Sequence, residues 1–234
     1  MKIEIKNLKK KFNQNYVLKD ISLTIEKNKS TIILGQSGCG KSVLIKTIYQ
    51  LFSFDSGSIL YDKKSEVDID KFSMLFQYGA LFDSLKISEN IAFTDFINNK
   101  TNFSKKVQSL MNDVGLDRSI YNKYPSELSG GMKKRAALAR ALYKNPKVIF
   151  LDEPTTGLDP INSDKINELI VKVINKRKIT AVTITHDIKS AIKTGDNYYF
   201  IDKGIIQDKG DCKKILKTKN KVFKSFITGA DIKQ

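Results

Sequence analysis

The chain has 234 residues, enough for one large domain or two small ones, and at 41% hydrophobic it can bury a sizeable core. No apolar run approaches the roughly 18 to 20 residues that span a bilayer. The alternating start Met1-Lys2-Ile3-Glu4-Ile5 has no signal-peptide core, so the expected location is the cytosol or the cytosolic face of a membrane. The net charge of +16 admits nucleic acid, anionic lipid or acidic ligands as partners. Only four of the 41 basic residues are arginine, however, and lysine is spread along the whole chain. That pattern reads as compositional bias more than as a designed groove, with attraction to anionic headgroups left open. Cys39 and Cys212 are too few and too isolated for a disulfide framework or a zinc site.

In chain order, Met1–Leu8, Tyr16–Ile25 and Ser58–Tyr61 read as strands joined by turns. Between them, Thr31–Leu34 is a short, fully apolar strand ended by Gly35, and Lys41–Phe52 carries apolar residues at helical spacing. Ser73–Phe76 is a further short strand. From about Asp83 to Asn145 the pattern is helical, with helices expected over Ser88–Phe96, Ser104–Val114 and Gly131–Lys144. Lys147–Leu151 and Thr180–Ile184 are buried-looking strands separated by a helix over Ile161–Asn175. Asp202-Lys203-Gly204 reads as a hairpin turn, and Cys212–Phe226 as one basic helix. Strands alternating with helices imply a mainly parallel sheet covered on both faces.

Two glycine-rich turns open helices. Gly35-Gln36-Ser37-Gly38-Cys39-Gly40-Lys41-Ser42 follows a strand and fits the phosphate-cradling pattern G-x-x-x-x-G-K-[ST]. Its backbone N–H groups turn inward around a β-phosphate, helped by the positive helix N-terminus. Lys41 would reach the β- and γ-phosphates, and the Ser42 hydroxyl would ligate Mg²⁺. Cys39 reads as a small loop residue, not a nucleophile. The second turn, Leu128-Ser129-Gly130-Gly131-Met132, also opens a helix. Two anion-binding helix starts in one protein imply a phosphate chain gripped from two sides.

Carboxylates and a histidine complete the set. Val148–Leu151 is an apolar strand ending in Asp152 and Glu153. Asp152 fits an acceptor on the Mg²⁺ side, and Glu153 a general base for an attacking water, a role typically worth about 10²- to 10⁴-fold in rate. His186, the only histidine, stands at the mouth of a core strand, where a neutral imidazole could donate to a γ-phosphate. Gln77 follows the Ser73–Phe76 strand. Its carbonyl could reach Mg²⁺ and report nucleotide state to the helical region, although a lone glutamine carries little weight.

Over essentially its full length the ordered set resembles an ABC-type transport ATPase: Gly35–Ser42, Gln77, Leu128–Gly131, Asp152-Glu153, Gly157-Leu158-Asp159-Pro160 and His186. The resemblance implies an α/β P-loop NTPase fold with a mainly parallel core sheet, an N-terminal antiparallel β region and an inserted helical lobe. It implies one domain, with residues 1–82 and 146–234 as nucleotide-binding core and 83–145 as signature lobe. It also implies a head-to-tail homodimer binding ATP and Mg²⁺. Each ATP would lie between one subunit's Gly35–Val43 and the other's Ser129 and Gly131, with Asp159 at the seam. Phe12 matches the adenine-stacking aromatic, with Tyr16 as a rival.

Ser73–Ser84 and Pro125–Arg140, including Met132 where most solute importers carry Gln or Glu, resemble the ATPase of Mla-type systems, which move lipids with MCE proteins. Phe226-Ile227-Thr228-Gly229 is similar to that branch's tail, but the tail after Gly229 is shorter. The partners this implies are a separate membrane permease, an MCE-type protein and a small regulatory subunit, with no nucleic acid, on the cytoplasmic face of the inner membrane. Ala80-Leu81-Phe82 is either a groove for a permease helix or ordinary lobe core. The competing readings are another solute importer, a cell-division ATPase, or a soluble ABC-type ATPase acting on ribosomes or DNA.

Overall fold

A computed structural model describes residues 1–229; the tail after Gly229 lies outside them. Strands β1 (Ile3–Phe12), β2 (Asn15–Ile25) and β3 (Ser30–Leu34) lead into helix α1 (Lys41–Ile48), followed by β4 (Ser56–Tyr61) and β5 (Phe72–Leu75). Helices α2 (Ile87–Ile91), α3 (Phe93–Ile97), α4 (Ser104–Asp113) and α5 (Gly130–Leu142) come next. Then β6 (Val148–Asp152), α6 (Pro160–Arg177), β7 (Thr180–Thr185), α7 (Ile188–Thr194), β8 (Asn197–Asp202), β9 (Ile205–Asp211) and α8 (Lys221–Thr228) complete the described chain.

The described strands form one sheet in the order β4-β1-β2-β9-β8-β3-β7-β6-β5. From β8 to β5 the pairing is parallel throughout. The β4-β1-β2 end is antiparallel, as is the β8-β9 hairpin. The two parts meet through a single parallel register pair, Asp20 with Ile205.

Alternation along the central strands explains why they are apolar throughout: successive side chains enter different cores. On β6, Ile149 and Leu151 join the helical lobe's core, while Val148 and Phe150 point into the core under α1. On β3, Ile33 points to the α1 side, and Ile32 and Leu34 meet α7 and α8. Phe72, Phe150 and Tyr49 pack edge-on or tilted at 5.5–5.6 Å, a favoured aromatic geometry.

Four expectations change. Lys41–Phe52 stops as a helix at Ile48, because Gln50 turns left-handed at φ 61°. The helix expected over Ser88–Phe96 is broken at Ala92 (φ −89°, ψ 20°) into α2 and α3. The side chain of Asn90 there grips Phe82, Leu85 and Lys86 of the preceding loop. The single helix expected over Cys212–Phe226 is a 3₁₀ turn (Cys212–Lys217) followed by α8. Asn220 makes the break by capping α8, its side chain accepting from Phe223 N–H at 3.0 Å. Helix α7 was not expected at all; Asp187 caps it, accepting from Lys189 and Ser190.

Candidate active site at the strand C-termini

Four neighbouring parallel strands, β3, β7, β6 and β5, end on one side of the sheet, and each carries candidate site residues at or just beyond its C-terminus. Gly35–Ser42 follows β3, His186 follows β7, Asp152 and Glu153 close β6, and Gln77 follows β5. Ligands of open α/β sheets lie outside this end of the strands. A cavity of about 580 Å³ opens there, lined by Gln36, Ser37, Gly38, Gly40, Lys41, Ser42, Val43, Gln77, Asp152, Glu153 and His186. Val17 and Ile184 also line it, and nothing in their sequence context marks them.

The loop's shape follows from its glycines. A Cβ at Gly35 would lie 2.3 Å from the Ile201 carbonyl oxygen, so only glycine lets β3 pass β8 this closely. Gly40 turns the chain into α1 at φ 108°. The first turn of α1 carries no acidic residue to compete for its N–H groups. Lys41 is buried and its ammonium donates to the Gly35 and Gln36 carbonyls at 2.8 and 2.7 Å. Cys39 is partly buried, and that burial pushes its thiol up, against the opposing charge of Lys41. It is a loop residue and not an activated thiolate.

Across the cavity, Glu153 holds a left-handed backbone (φ 46°), unusual for a side chain of this size. Its N–H donates to the Ile184 carbonyl at 3.0 Å, which locks the end of β6 to β7. Its carboxylate accepts from Thr156 at 3.3 Å and pairs with His186 Nδ1 at 2.8 Å. With Nδ1–H held by the carboxylate, Nε2 of a neutral ring is an acceptor. The neutral donor expected from the sequence must therefore release Glu153 or take a second proton. Burial, then the adjacent Glu153 charge, push the Asp152 carboxyl up. The Ser42 hydroxyl, the Gln77 amide and the Asp152 carboxylate supply hard oxygen donors around one cavity, a donor set that fits Mg²⁺.

The remaining expected residues stand elsewhere. None of Leu128–Met132 lines this cavity. Ser129 caps α5, its hydroxyl accepting from Met132 N–H at 3.3 Å. Outside its own helical turn, no atom lies within 4 Å of where a Gly131 Cβ would point. Asp159 is an exposed cap on α6, with its carboxyl held below the usual range by hydrogen bonds from Asn162. Phe12 and Tyr16 both stand exposed at the tip of the β1-β2 hairpin, outside the cavity wall. Phe12 makes an edge contact with Phe52 at 5.5 Å.

A second cavity of about 450 Å³ takes in Gln77, Ala80, Leu81 and Asp152. Leu81 also packs on the lobe core, whereas Phe82 stacks on Phe93 at 4.4 Å. The trio is thus divided between groove and core. Sequence reading passed over Lys134, which is buried on α5 with its ammonium donating to the Gln77 carbonyl. One lysine among so many carries no local signal.

The sequence profile described as ABC transporter matches residues 18–156. A sulfate/thiosulfate import ATP-binding protein CysA of Pseudomonas syringae pv. tomato is 35% identical over 220 residues, 90% of this chain and 67% of that protein. The corresponding cucumber protein is 33% identical over 92% of this chain and 64% of its own length. A probable ribonucleotide transport ATP-binding protein, mkl, of Mycobacterium bovis is 32% identical over 98% of this chain and 67% of its own length. The chain thus spans about two thirds of these relatives. Among solved structures, cbiO1 of Clostridium perfringens, part of the transporter complex cbiONQ, superposes with a TM-score of 0.84 at 29% identity, covering 96% of this chain and 94% of that one. A dimeric ATP-binding cassette in a post-hydrolysis state with ADP and Pi gives 0.78 at 28% identity, covering 90% and 98%.

Proposed function

The chain belongs to the ABC transporter family, and from that premise we propose that it is the ATP-hydrolysing subunit of a transporter whose permease is a separate polypeptide. Among the described residues, no helix is long and apolar enough to cross a membrane. The proposed place is peripheral, on the cytoplasmic face of the cell membrane. One observation carries the reading: Glu153, with its His186 partner, lines the same cavity as the phosphate loop.

In this reading the loop amides of Gln36–Ser42 take the β-phosphate, and Lys41 moves its ammonium from the loop carbonyls to the γ-phosphate. Ser42, Gln77 and Asp152 would hold Mg²⁺, which would neutralise developing phosphate charge. Glu153 orients and deprotonates the water that attacks in line, and His186 positions Glu153 while sensing the γ-phosphate. Phe12 stacks on adenine. Residues 83–145 act as the signature lobe, and a second copy supplies Ser129 and Gly131 with Asp159 at the seam. The dimeric cassette solved with ADP and Pi supports that arrangement.

Glu153→Gln tests it. ATP binding should persist while steady-state hydrolysis falls at least about 100-fold. Near-normal turnover would remove Glu153 from the base role.

The narrower proposal is lipid transport with an MCE-type protein and a small regulatory subunit. Its support is the text of Ser73–Ser84 and Pro125–Arg140, with Met132 in the signature. Import of an oxyanion is the second reading, favoured by the names of the CysA relatives. Copurification from native membranes, followed by lipid mass spectrometry, separates them. Bound phospholipid and an MCE partner support the first, and a soluble anion-binding partner the second.

A further inference from the structure

Asparagine is seldom buried without all its hydrogen bonds. Asn167, two turns into α6, is 3% exposed. Its amide donates to the Ser190 hydroxyl of α7 at 2.7 Å, and Ser190 is itself buried. That hydroxyl donates in turn to the Asp187 carboxylate at 2.6 Å. Chemistry fixes these directions: a carboxylate only accepts, so Ser190 gives its one proton to Asp187 and accepts from the amide. The Asn167 carbonyl oxygen is left buried with no hydrogen-bond partner among the described residues, which costs stability. An apolar side chain would avoid that cost. Lys193 of α7 already joins the two helices at their surface, pairing with Asp164 and Glu168 of α6 at 2.7 and 3.1 Å. Packing alone therefore gives no reason for an amide at 167.

The chain of bonds ends beside His186. The Asp187 N–H donates to Thr185 Oγ1 at 3.0 Å, and its carboxylate caps α7, so residues 185–190 form one closed turn. The His186 side chain is 65% exposed, and packing holds it little. Its direction is set by that turn and by the pairing with Glu153 at 2.8 Å. We propose that Asn167 and Ser190 are positioning residues for hydrolysis: acting through Asp187, they seat the turn that aims His186 at Glu153 and tie it to α6. The tie has a second end. Asp159 opens α6, so a movement at the proposed dimer seam reaches His186 along one helix. This inference rests on the ATPase reading above.

The test uses the full chain without added histidines, so that His186, the only histidine, gives unambiguous ring resonances by NMR. Asn167→Leu keeps the branched shape and removes the donor. Ser190→Ala breaks the chain at its middle, and Ser190→Thr keeps the hydroxyl. The double variant Asn167→Leu/Ser190→Ala closes a cycle. Lys193→Met loosens the surface contact between the same helices and leaves the chain intact. For each, kcat, ATP affinity, thermal unfolding and the nucleotide-free His186 resonances are measured.

We expect Asn167→Leu and Ser190→Ala each to lower kcat at least about 5-fold with ATP affinity within about 3-fold, as loss of an interaction used in turnover requires. The His186 resonances should move in both. The double variant should lose no more than the worse single, because residues in one network are not additive. Ser190→Thr should restore kcat, and Lys193→Met should leave kcat and the His186 resonances unchanged. Wild-type kcat and unmoved resonances in both Asn167→Leu and Ser190→Ala would overturn the proposal. An equal loss of kcat in Lys193→Met would also overturn it, by assigning the pair to docking of α7 on α6. Absence of hydrolysis by the unmodified chain would instead contradict the ATPase reading itself, and the nucleotide-free resonances would still decide whether Asn167 and Ser190 set the His186 ring.

Discussion

The two helix starts proposed to meet phosphate differ in how complete they are. At the start of α1, the loop, Lys41, Gln77, Asp152, Glu153 and His186 converge on one cavity. At the start of α5, Ser129 is exposed, and nothing outside its own helical turn comes within 4 Å of where a Gly131 Cβ would stand. Neither first turn carries an acidic residue, so both helix N-termini leave their positive ends for a ligand. The difference lies in the scaffold. The first site sits on the C-termini of strands buried on both faces, whereas the second hangs from a lobe of short helices inserted between β5 and β6. In the proposed reading one chain makes one finished half-site and one unfinished half-site, the arrangement a head-to-tail dimer needs.

Gly131→Asp strikes at this contrast most strongly. An acid in the first turn favours the helix dipole, and open space surrounds the position, so thermal stability should hold. A phosphate brought to the same turn would be repelled. Hydrolysis should fall at least about 10-fold, a barrier increase of about 1.4 kcal/mol, while nucleotide still binds the α1 half-site. Full hydrolysis in a purified Gly131→Asp chain would remove the signature turn from the reaction.

A smaller effect sharpens the same comparison by loosening the lobe. Asp113 at the end of α4 accepts from Lys176 and Arg177 of α6 at 2.8 and 2.6 Å. The Lys176 hydrogen bond, then that of Arg177, hold its carboxyl below the usual range. Asp113→Asn should cost about 1–3 kcal/mol at pH 7 without changing ATP affinity. A depressed folded pKa stabilises above the unfolded value of about 3.9 and loses that effect as pH falls through the folded value. The gap between wild type and variant in urea melts should therefore persist at pH 5 and close only below about pH 4. A gap that closes near neutrality would detach Asp113 from this tie.

Legibility in the sequence followed locality. The phosphate loop could be read because its glycines, its lysine and the flanking strand and helix are contiguous, and β6 because an apolar run ends in two carboxylates. Helix α2 broke from α3 because Asn90 bonds a loop, a partnership no periodicity encodes. The break before α8 did carry a signal, since Asn220 is a capping residue inside the presumed helix. The Asp20–Ile205 pairing joins distant parts of the chain and leaves no local trace. Lys134 was hidden differently: its meaning lies in burial and in the carbonyl it meets.

Mixing two inactive chains tests the central claim most directly. Lys41→Ala removes the α1 half-site and Gly131→Asp the α5 half-site, so homodimers of either have no complete site. A heterodimer has one, formed from the intact loop of the second chain and the intact signature of the first. ATP hydrolysis should reappear on mixing and rise with the product of the two concentrations. Mixtures that form heterodimers yet stay as inactive as their components would contradict a site shared between two copies.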